Sequence, residues 1–267
     1  MSGARASIAT LACVAALAAV AAALLGGGAV EIAPDAAAAT PQERASQIAA
    51  NDAELRRGID EWRTTAGDPP AAPPPPEVMA AAAFLQEQIR FLAGRRAEAK
   101  ATIAALPSGL RRQVKDLVSA ARKLRRLSKG AKNRRLKTGE PESLANLVAH
   151  YRKAKRRYRI GTHYLAAINH VETKFGRVKS KSVAGARGPM QFIPSTWRIY
   201  GKGSIHDPHD SIQAAARLLR DRGAPRSYRR ALFAYNNSKL YVQAVRIYAR
   251  LIARDPDALE FLYCWGP

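Results

Sequence analysis

The chain has 267 residues, with 44 Lys and Arg against 21 Asp and Glu, a formal net charge of +23 and two cysteines. This length allows one or two domains with a real hydrophobic core, and it excludes a disulfide-stapled miniprotein and a wholly disordered chain. Most of the aromatic residues lie from Tyr151 onward. Because aromatic side chains bury the most area each, we expect the compact, site-bearing part of the chain there.

The first 40 residues have the pattern of an export signal. Arg5 precedes a weakly hydrophobic run from Ile8 to Leu25, and the small residues Ala36 to Ala39 offer a cleavage region. The run is also long enough for a membrane span of roughly 20 residues, so a cleaved signal peptide and an uncleaved signal anchor are both open. Low hydrophobicity favours cleavage, and both hypotheses predict an extracytoplasmic location. Without this segment Cys264 is the only cysteine, so no internal disulfide forms.

Helical periodicity predicts a series of amphipathic helices ahead of the aromatic-rich part. One helix is expected within Gln42–Arg63, and the proline-rich Asp68–Glu77 predicts a stiff extended linker after it. Three more helices are predicted at Val78–Leu106, Leu110–Leu127 and about Glu142–Arg159. No alternating β pattern of any length occurs, so we expect an all-α fold. The apolar positions predicted to face the core are Ile48, Leu55, Ile59, Trp62, Phe84, Leu85, Ile89, Leu92, Leu110, Val114, Leu117, Val118, Leu124, Leu127, Leu144, Leu147, Val148 and Tyr151.

The middle of the chain is strongly basic. Residues 111–159 carry 18 Lys and Arg and three acidic side chains. One interpretation is that these cations are the solvated faces of amphipathic helices. The other is that they attract a polyanion through a field that salt screens. Nucleic acid is the usual partner of such a patch, but an exported protein seldom meets it, so an anionic wall polymer or a membrane surface is the favoured partner and nucleic acid is not expected.

One carboxylate falls within an apolar helical stripe in the segment Thr162–Gly176. An ionised Glu172 in that stripe is costly unless it is paired, or unless its pKa rises so that it stays protonated. A raised pKa is what a general acid needs at neutral pH. An ion pair with an arginine, or bonds from backbone amides, would equally explain the residue. On the helical wheel the residues placed on the opposite, polar face are His163, Asn169, His170, Thr173 and Lys174, of which the two histidines are expected to be solvated.

The segments that follow have less specific patterns. Gly188–Trp197 clusters Met, Gln, Phe and Trp after a glycine turn, which is either plain core or a sugar groove. Asp207 and Asp210 are expected to cap the next helix. With His206 and His209 they also have the chemistry of zinc ligands, but capping explains the acids, so we predict no metal site and no cofactor. Three further helices are predicted: one after Asp210 with Ile212, Ala215, Ala216 and Leu219 in its core face, one ending within Ala231–Asn237, and a final one at Tyr241–Ile252.

Three separated motifs carry a resemblance to a known family. Glu172-Thr173, Gly188-Pro189-Met190-Gln191 and Ala234-Tyr235-Asn236 resemble, in order and spacing, the motifs of the soluble lytic transglycosylase (SLT) domain. The resemblance covers about Ile160–Ala253, and the surrounding residues are similar to the type found in exported actinobacterial proteins. It implies an α-helical, goose-type-lysozyme-like fold that cleaves peptidoglycan. The chain departs from the family pattern at Thr173, where Ser is most common, at Pro189, where Leu is usual, and at Asn237-Ser238-Lys239, where the family has a glycine-rich turn.

The resemblance implies a lytic transglycosylase that works with one acid. Glu172 would protonate the glycosidic oxygen between N-acetylmuramic acid and N-acetylglucosamine, then accept the proton of the muramic C6 hydroxyl as a 1,6-anhydro ring closes. Most glycosidases need two carboxylates, but this reaction needs no activated water. The implied substrate-binding residues are Thr173, Ser182, Gly188, Met190, Gln191, Tyr235 and Asn236, and Tyr235 would equally suit a core position.

Other functions stay open on the sequence. They are a hydrolytic muramidase on the same fold, a catalytically idle wall-binding protein and, on charge alone, a nucleic-acid-binding protein. Peptidoglycan glycan strands are the expected substrate. The expected segments are 1–40, a signal peptide or anchor; 41–77, a helix and proline-rich linker; 78–159, a basic helical region; and 160–267, the catalytic domain.

Overall fold

The computed structural model describes residues 39–129 and 136–267. Over those two ranges the chain forms eleven α-helices and no strand, only two isolated β-bridges, so the predicted all-α fold is confirmed. The export-signal prediction falls almost entirely on residues outside the described ranges. None of the described helices has the length and apolar character needed to cross a bilayer. The helices are α1 (Pro41–Ala66), α2 (Pro76–Gly94), α3 (Arg96–Ala105), α4 (Ser108–Leu127), α5 (Leu144–Tyr158), α6 (Thr162–Thr173), α7 (Pro194–Tyr200), α8 (Pro208–Asp221), α9 (Tyr228–Tyr235), α10 (Lys239–Arg254) and α11 (Ala258–Tyr263).

The amphipathic stripes of the first helices face a common core. In α1, Ile48, Leu55, Ile59 and Trp62 are buried as the periodicity predicts. The start of α1 is fixed by a capping box, in which the Thr40 side chain accepts from the Glu43 N–H and the Glu43 carboxylate accepts from the Thr40 N–H. Helix α1 packs against α2 and α3, and α4 packs against α10.

Two of the helix predictions differ from the structure. The single helix expected over Val78–Leu106 is two helices, because Arg95 is extended, with φ −126° and ψ 98°, directly after Gly94. The break lets both halves pack against α1. The last helix is α11 and not α10. It has six residues, too few to show a periodic pattern in the sequence.

The proline-rich segment between α1 and α2 is non-helical, as predicted, and it is packed against the rest of the protein. The Trp62 indole N–H donates to the Ala72 carbonyl at 3.2 Å, and the Ala145 N–H donates to the Pro70 carbonyl at 3.0 Å. One continuous apolar core extends from Ala45 to Trp265. The helices that precede the aromatic-rich part therefore pack on it and do not stand apart.

An ion-pair network also joins α1 to the C-terminal part of the chain. Arg56 binds Asp255 at 3.2 Å and Asp257 at 2.6 Å. Two turns later along α1, Arg63 binds Asp257 at 2.7 Å and Glu260 at 2.9 Å. These pairs are partly buried, so they hold the start of α11 against α1 more firmly than exposed pairs do.

Candidate active site

Helix α6 lies at the centre of the fold, surrounded by α5, α8, α10 and α11. The helical wheel of α6 predicted one buried face and one solvent-exposed polar face. The prediction that the polar face is exposed was wrong. His170 is fully buried, and Asn169, Thr173 and Lys174 are buried with it. A one-sided wheel describes a helix at the surface, whereas α6 has neighbours all round. The expectation that His170 is solvated was therefore wrong; its Nε2 lies 3.0 Å from the Lys174 Nζ.

Glu172, at the C-terminal end of α6, is a buried carboxyl group with one partner. Its residue exposure is 1%. Oε1 accepts a hydrogen bond from the Tyr241 hydroxyl at 2.8 Å, and Oε2 is buried with no hydrogen-bond partner among the described residues. Burial raises the pKa of Glu172 to about 8, against the opposing effect of the Tyr241 hydrogen bond. Neither the arginine pair nor the backbone amides that would give Glu172 a purely structural role contact it in the described part of the chain.

Tyr241, which the sequence reasoning did not single out, is the residue that holds Glu172. It lies in the first turn of α10, where the Ser238 side chain caps the helix by accepting from the Tyr241 N–H. Tyr241 is fully buried. A buried tyrosine needs a partner for its hydroxyl, and Glu172 is the acid that the wheel places in an apolar stripe. A tyrosine hydroxyl and a carboxyl group that each need a hydrogen-bond partner were therefore the signal by which the sequence could have paired Tyr241 with Glu172.

A tight hairpin presents the second motif. Arg187 and Phe192 exchange two backbone hydrogen bonds of 2.9 Å and enclose Gly188 to Gln191 between them. Gly188 has φ 73°, and a Cβ there would overlap the carbonyl oxygen of Ile205, so only glycine fits. Gln191 is also left-handed, with φ 47°, and its side-chain amide donates to the Gly188 carbonyl at 3.0 Å.

Hydrogen bonds bring the three motifs together. The Thr173 hydroxyl donates to the Pro189 carbonyl at 2.6 Å and accepts from the Gly176 N–H at 2.9 Å, which ties the end of α6 to the hairpin. The Tyr235 hydroxyl donates to the Met190 carbonyl at 2.6 Å, which ties α9 to the same hairpin. The rings of Tyr235 and Tyr241 lie parallel with centroids 6.4 Å apart.

A comparison with known protein families gives the same assignment for this part of the chain. Residues 150–250 match the family model of the transglycosylase SLT domain. The chain contains an SLT domain. The match begins within α5, ends within α10 and includes all three motifs, so the resemblance to the SLT domain is confirmed. The similarity to the exported actinobacterial type stays a prediction. No curated protein and no solved structure matches the chain.

Most of the predicted contact residues of the SLT domain are buried. Gly188 and Gln191 are partly exposed, whereas Glu172 and the other five predicted residues, Thr173, Ser182, Met190, Tyr235 and Asn236, are buried. The carboxyl group of Glu172 is thus closed off from solvent and does not lie in an open groove. Tyr235 has the packing and hydroxyl bond of a core tyrosine. The Ser182 hydroxyl accepts from the Ala186 N–H at 2.9 Å and shapes the loop that leads into the hairpin.

Each of the three motifs has one buried acceptor oxygen that finds no partner among the residues the structure describes. These are Glu172 Oε2, Gln191 Oε1 and Asn236 Oδ1. Buried polar atoms in proteins nearly always have a partner, so orphaned acceptors mark places where a ligand or a water can donate. Sugar hydroxyl and N-acetyl N–H groups are donors of that kind. The three oxygens are therefore able to accept hydrogen bonds from a ligand or from water.

The aspartates that follow the hairpin have structural partners. Asp207 caps α8, accepting from the Asp210 N–H at 2.8 Å, as predicted. Asp210, which was also expected to cap α8, does not: it lies in the first turn and accepts from the Ser204 N–H at 2.9 Å. Asp221 pairs with Arg222 at 3.3 Å. With Glu172 these are the acids within residues 160–254. No second carboxyl group of the SLT domain is without a structural partner.

Proposed function

We propose that the protein is a peptidoglycan lytic transglycosylase with Glu172 as its catalytic acid. Its substrate would be the bond between N-acetylmuramic acid and N-acetylglucosamine, and its product would carry a 1,6-anhydro-N-acetylmuramic end. The observation that carries this proposal is the buried Glu172 carboxyl, whose pKa of about 8 keeps it protonated at neutral pH. A protonated acid is the form that can donate to a leaving sugar oxygen.

The Glu172 carboxyl group acts twice in the proposed reaction, first as a proton donor and then as a proton acceptor. Glu172 gives its proton to the glycosidic oxygen, and the bond from that oxygen to the anomeric carbon of the muramic acid breaks. The C6 hydroxyl oxygen of the same sugar then bonds to the anomeric carbon, and its proton passes to Glu172. No water is consumed and the acid is regenerated. Because the nucleophile belongs to the substrate itself, its attack is intramolecular, which lowers the entropic part of the barrier.

The hydrogen bond from Tyr241 supports this double role. A hydroxyl that donates to Oε1 stabilises the carboxylate that exists between the two proton transfers. It also leaves Oε2, which has no partner among the described residues, as the oxygen that carries the proton. Tyr241 is therefore a positioning residue in the proposal.

The shortage of free carboxylates within residues 160–254 favours this reaction over hydrolysis. Inverting and retaining hydrolases need a second carboxylate about 5–9 Å from the first, to activate water or to attack the sugar. The aspartates nearest in sequence, Asp207, Asp210 and Asp221, have partners of their own. A hydrolytic muramidase on the same fold is the second candidate, and the products distinguish the two.

Substrate entry in this proposal requires movement. Glu172 and Asn236 are buried, so a glycan reaches them only after the side chains that cover them move aside. Gln191, at the partly exposed hairpin, would be the first of the three to meet the sugar. Thr173, Ser182, Gly188, Met190 and Tyr235 would act by holding the hairpin and the surrounding loops in place.

The products of digestion test the proposal directly. Purified cell-wall sacculi are incubated with the full chain, and the released muropeptides are separated by mass. We expect ends that weigh one water less than reducing ends, and we expect Glu172→Gln to abolish their release. Reducing ends would show the hydrolytic muramidase instead. Wall binding that is equal in wild type and Glu172→Gln, with no products from either, would show an idle binding protein.

We further propose an extracytoplasmic location and an anionic partner. The location rests on the export-signal pattern of residues 1–40, and the SLT domain suits it because its proposed substrate lies outside the cytoplasm. The partner rests on α5, whose cations Arg152, Lys153, Lys155 and Arg156 are exposed and form no ion pair within the described ranges. An anionic wall polymer or a membrane surface would be attracted to this face in a salt-dependent way. Fractionation and salt elution from isolated walls test both.

A further inference from the structure

Two histidines from different helices meet beside the SLT hairpin, and each has a carboxylate on one ring nitrogen. His150 on α5 has its Nε2 within 3.1 Å of both oxygens of Glu142. His209 on α8 has its Nδ1 3.1 Å from Asp210 Oδ1. A carboxylate on one nitrogen fixes the tautomer and orientation of an imidazole, and it is the arrangement that supports metal-binding histidines in proteins.

The separation of the two rings is close to that of two imidazoles that share one metal ion. Their centroids are 5.3 Å apart and their planes are inclined by 74°. Two imidazoles that bind one tetrahedral Zn²⁺ through nitrogens at about 2.0–2.1 Å have centroids about 5 Å apart. With His150 Nε2 and His209 Nδ1 already engaged by carboxylates, the nitrogens left for such an ion are His150 Nδ1 and His209 Nε2.

Two buried atoms at this place have no partner. His209 Nε2 is buried without a hydrogen bond among the described residues, and so is Oε1 of Gln213, one helical turn further along α8. Gln213 is 4% exposed, and its side-chain Nε2 donates to the His150 backbone carbonyl at 3.2 Å. Because that bond fixes which end of the amide is the oxygen, the orphaned Oε1 belongs to the same corner between α5 and α8.

From this geometry we propose that His150 and His209 bind a zinc-class divalent cation, with Gln213 Oε1 as a third ligand. Solvent completes the coordination, since the His150 side chain is 20% exposed. Imidazole ligands suit Zn²⁺ and its neighbours among the transition metals, whereas Mg²⁺ prefers oxygen. Asp207 keeps its capping role, and Asp210 acts on His209 as an outer partner.

Such an ion would brace the hairpin of the SLT motif. It would join α5 to the beginning of α8, and the loop that precedes α8 carries Ile205, whose carbonyl packs directly against Gly188. The expected role is thus structural and is independent of the proposed transglycosylase reaction. Binding and stability, and not turnover, are the quantities to measure.

The test is metal binding by the full chain after treatment with a chelator. Calorimetric titration with Zn²⁺ should give one ion per chain and a raised melting temperature, and Mg²⁺ should give neither. His209→Ala and His150→Ala should each weaken Zn²⁺ binding at least tenfold. His206→Ala is the matched control, because His206 is an exposed histidine of the loop that precedes α8. This variant should bind Zn²⁺ as the wild type does.

Two results would overturn the proposal. One is the absence of Zn²⁺ binding by the wild type, and the other is wild-type affinity in both His150→Ala and His209→Ala. Circular dichroism checks that the variants fold. If His209→Ala does not fold, His209→Gln is used in its place. The visible spectrum of Co²⁺ added to the wild-type protein decides the matter without any variant. Intense tetrahedral bands support the site, and the weak spectrum of hydrated Co²⁺ contradicts it.

Discussion

The Tyr241 hydroxyl donates a 2.8 Å hydrogen bond to Oε1 of Glu172, and within the described ranges this is the one polar contact of that buried carboxyl. The bond joins the beginning of α10 to the end of α6, which are 69 positions apart in the sequence. It favours the charged form of Glu172, whereas burial favours the neutral form. In the proposed reaction, the balance between these two effects sets the pH range in which Glu172 can donate a proton.

Removing that hydroxyl should move the pH profile upward. The activity on sacculi, as kcat/KM, should fall as pH rises through the pKa of Glu172, about 8, because only the protonated acid donates. In Tyr241→Phe the pKa rises further, and since a hydrogen bond to a charged group contributes about 1.5–3 kcal/mol, the falling limb should move up by about one to two pH units.

The matched control for this variant is Tyr248→Phe. Tyr248 is a buried tyrosine of the same helix that makes no bond to Glu172. Loss of the Tyr248 hydroxyl should leave the falling limb of the pH profile in place. If both variants, or neither, shift the limb, Tyr241 does not position the acid in the way that we propose.

Replacing the acid should stabilise the protein at alkaline pH. The pKa of Glu172 rises from 4.5 to about 8 on folding, so the folded state holds a proton that the unfolded state has lost between those values. Stability is therefore full below about pH 4.5 and falls by about 1.4 kcal/mol per pH unit until the folded-state pKa is passed, roughly 5 kcal/mol at most. Glu172→Gln does not titrate and escapes this loss.

Urea unfolding of Glu172→Gln and wild type from pH 4 to pH 9 measures the effect. We expect the free energy of unfolding of the variant to increase steadily relative to that of the wild type as pH rises, and this difference to level off above about pH 8. Glu54→Gln changes an exposed glutamate and should run parallel to the wild type. A constant difference at all pH values would mean that Glu172 has an ordinary pKa in the folded protein.

The sequence singled out Glu172 but not its surroundings. The position of Glu172 in an apolar stripe and the spacing of three motifs were enough to choose it as the candidate acid, because both depend on local order along the chain. The burial of His170 and the bond from Tyr241 depend on which helices surround α6, and a helical wheel contains no such information. The break at Arg95 likewise exists because both halves pack on α1, which a continuous apolar stripe does not reveal.

Gly188 should tolerate no side chain. It has φ 73°, and a Cβ would meet the Ile205 carbonyl, which is backbone and cannot rotate away. A left-handed alanine alone costs roughly 1 kcal/mol. Gly188→Ala should lower the free energy of unfolding by about 2 kcal/mol or more beyond that, because the Ile205 carbonyl must also be displaced. Gly185→Ala is the control, because Gly185 has φ 80° but open space around it, and it should lose only the conformational part. Equal losses for the two variants in urea unfolding would show that the hairpin does not pack against Ile205.

The hydroxyl of Thr173 should matter more than its methyl group. It donates to the Pro189 carbonyl and accepts from the Gly176 N–H, so Thr173→Val leaves two buried backbone groups without a partner. Each such group costs about 1–3 kcal/mol, and the link between α6 and the hairpin is lost with them. Thr173→Ser keeps both bonds and should cost about 1 kcal/mol for the missing methyl. Sacculus digestion should follow the same order, with serine close to wild type and valine strongly impaired.

Thr102→Val separates the loss of these bonds from the general effect of a valine in the core. Thr102 is fully buried, but its hydroxyl has no partner among the described residues. Exchanging an unsatisfied hydroxyl for a methyl group should leave stability unchanged or raise it, because no bond is lost and a desolvated polar atom is removed. The same substitution is thus expected to lower stability at Thr173 and not at Thr102. If Thr173→Val were as harmless in urea unfolding as Thr102→Val, the bond to the Pro189 carbonyl would not hold the hairpin against the helix that carries Glu172.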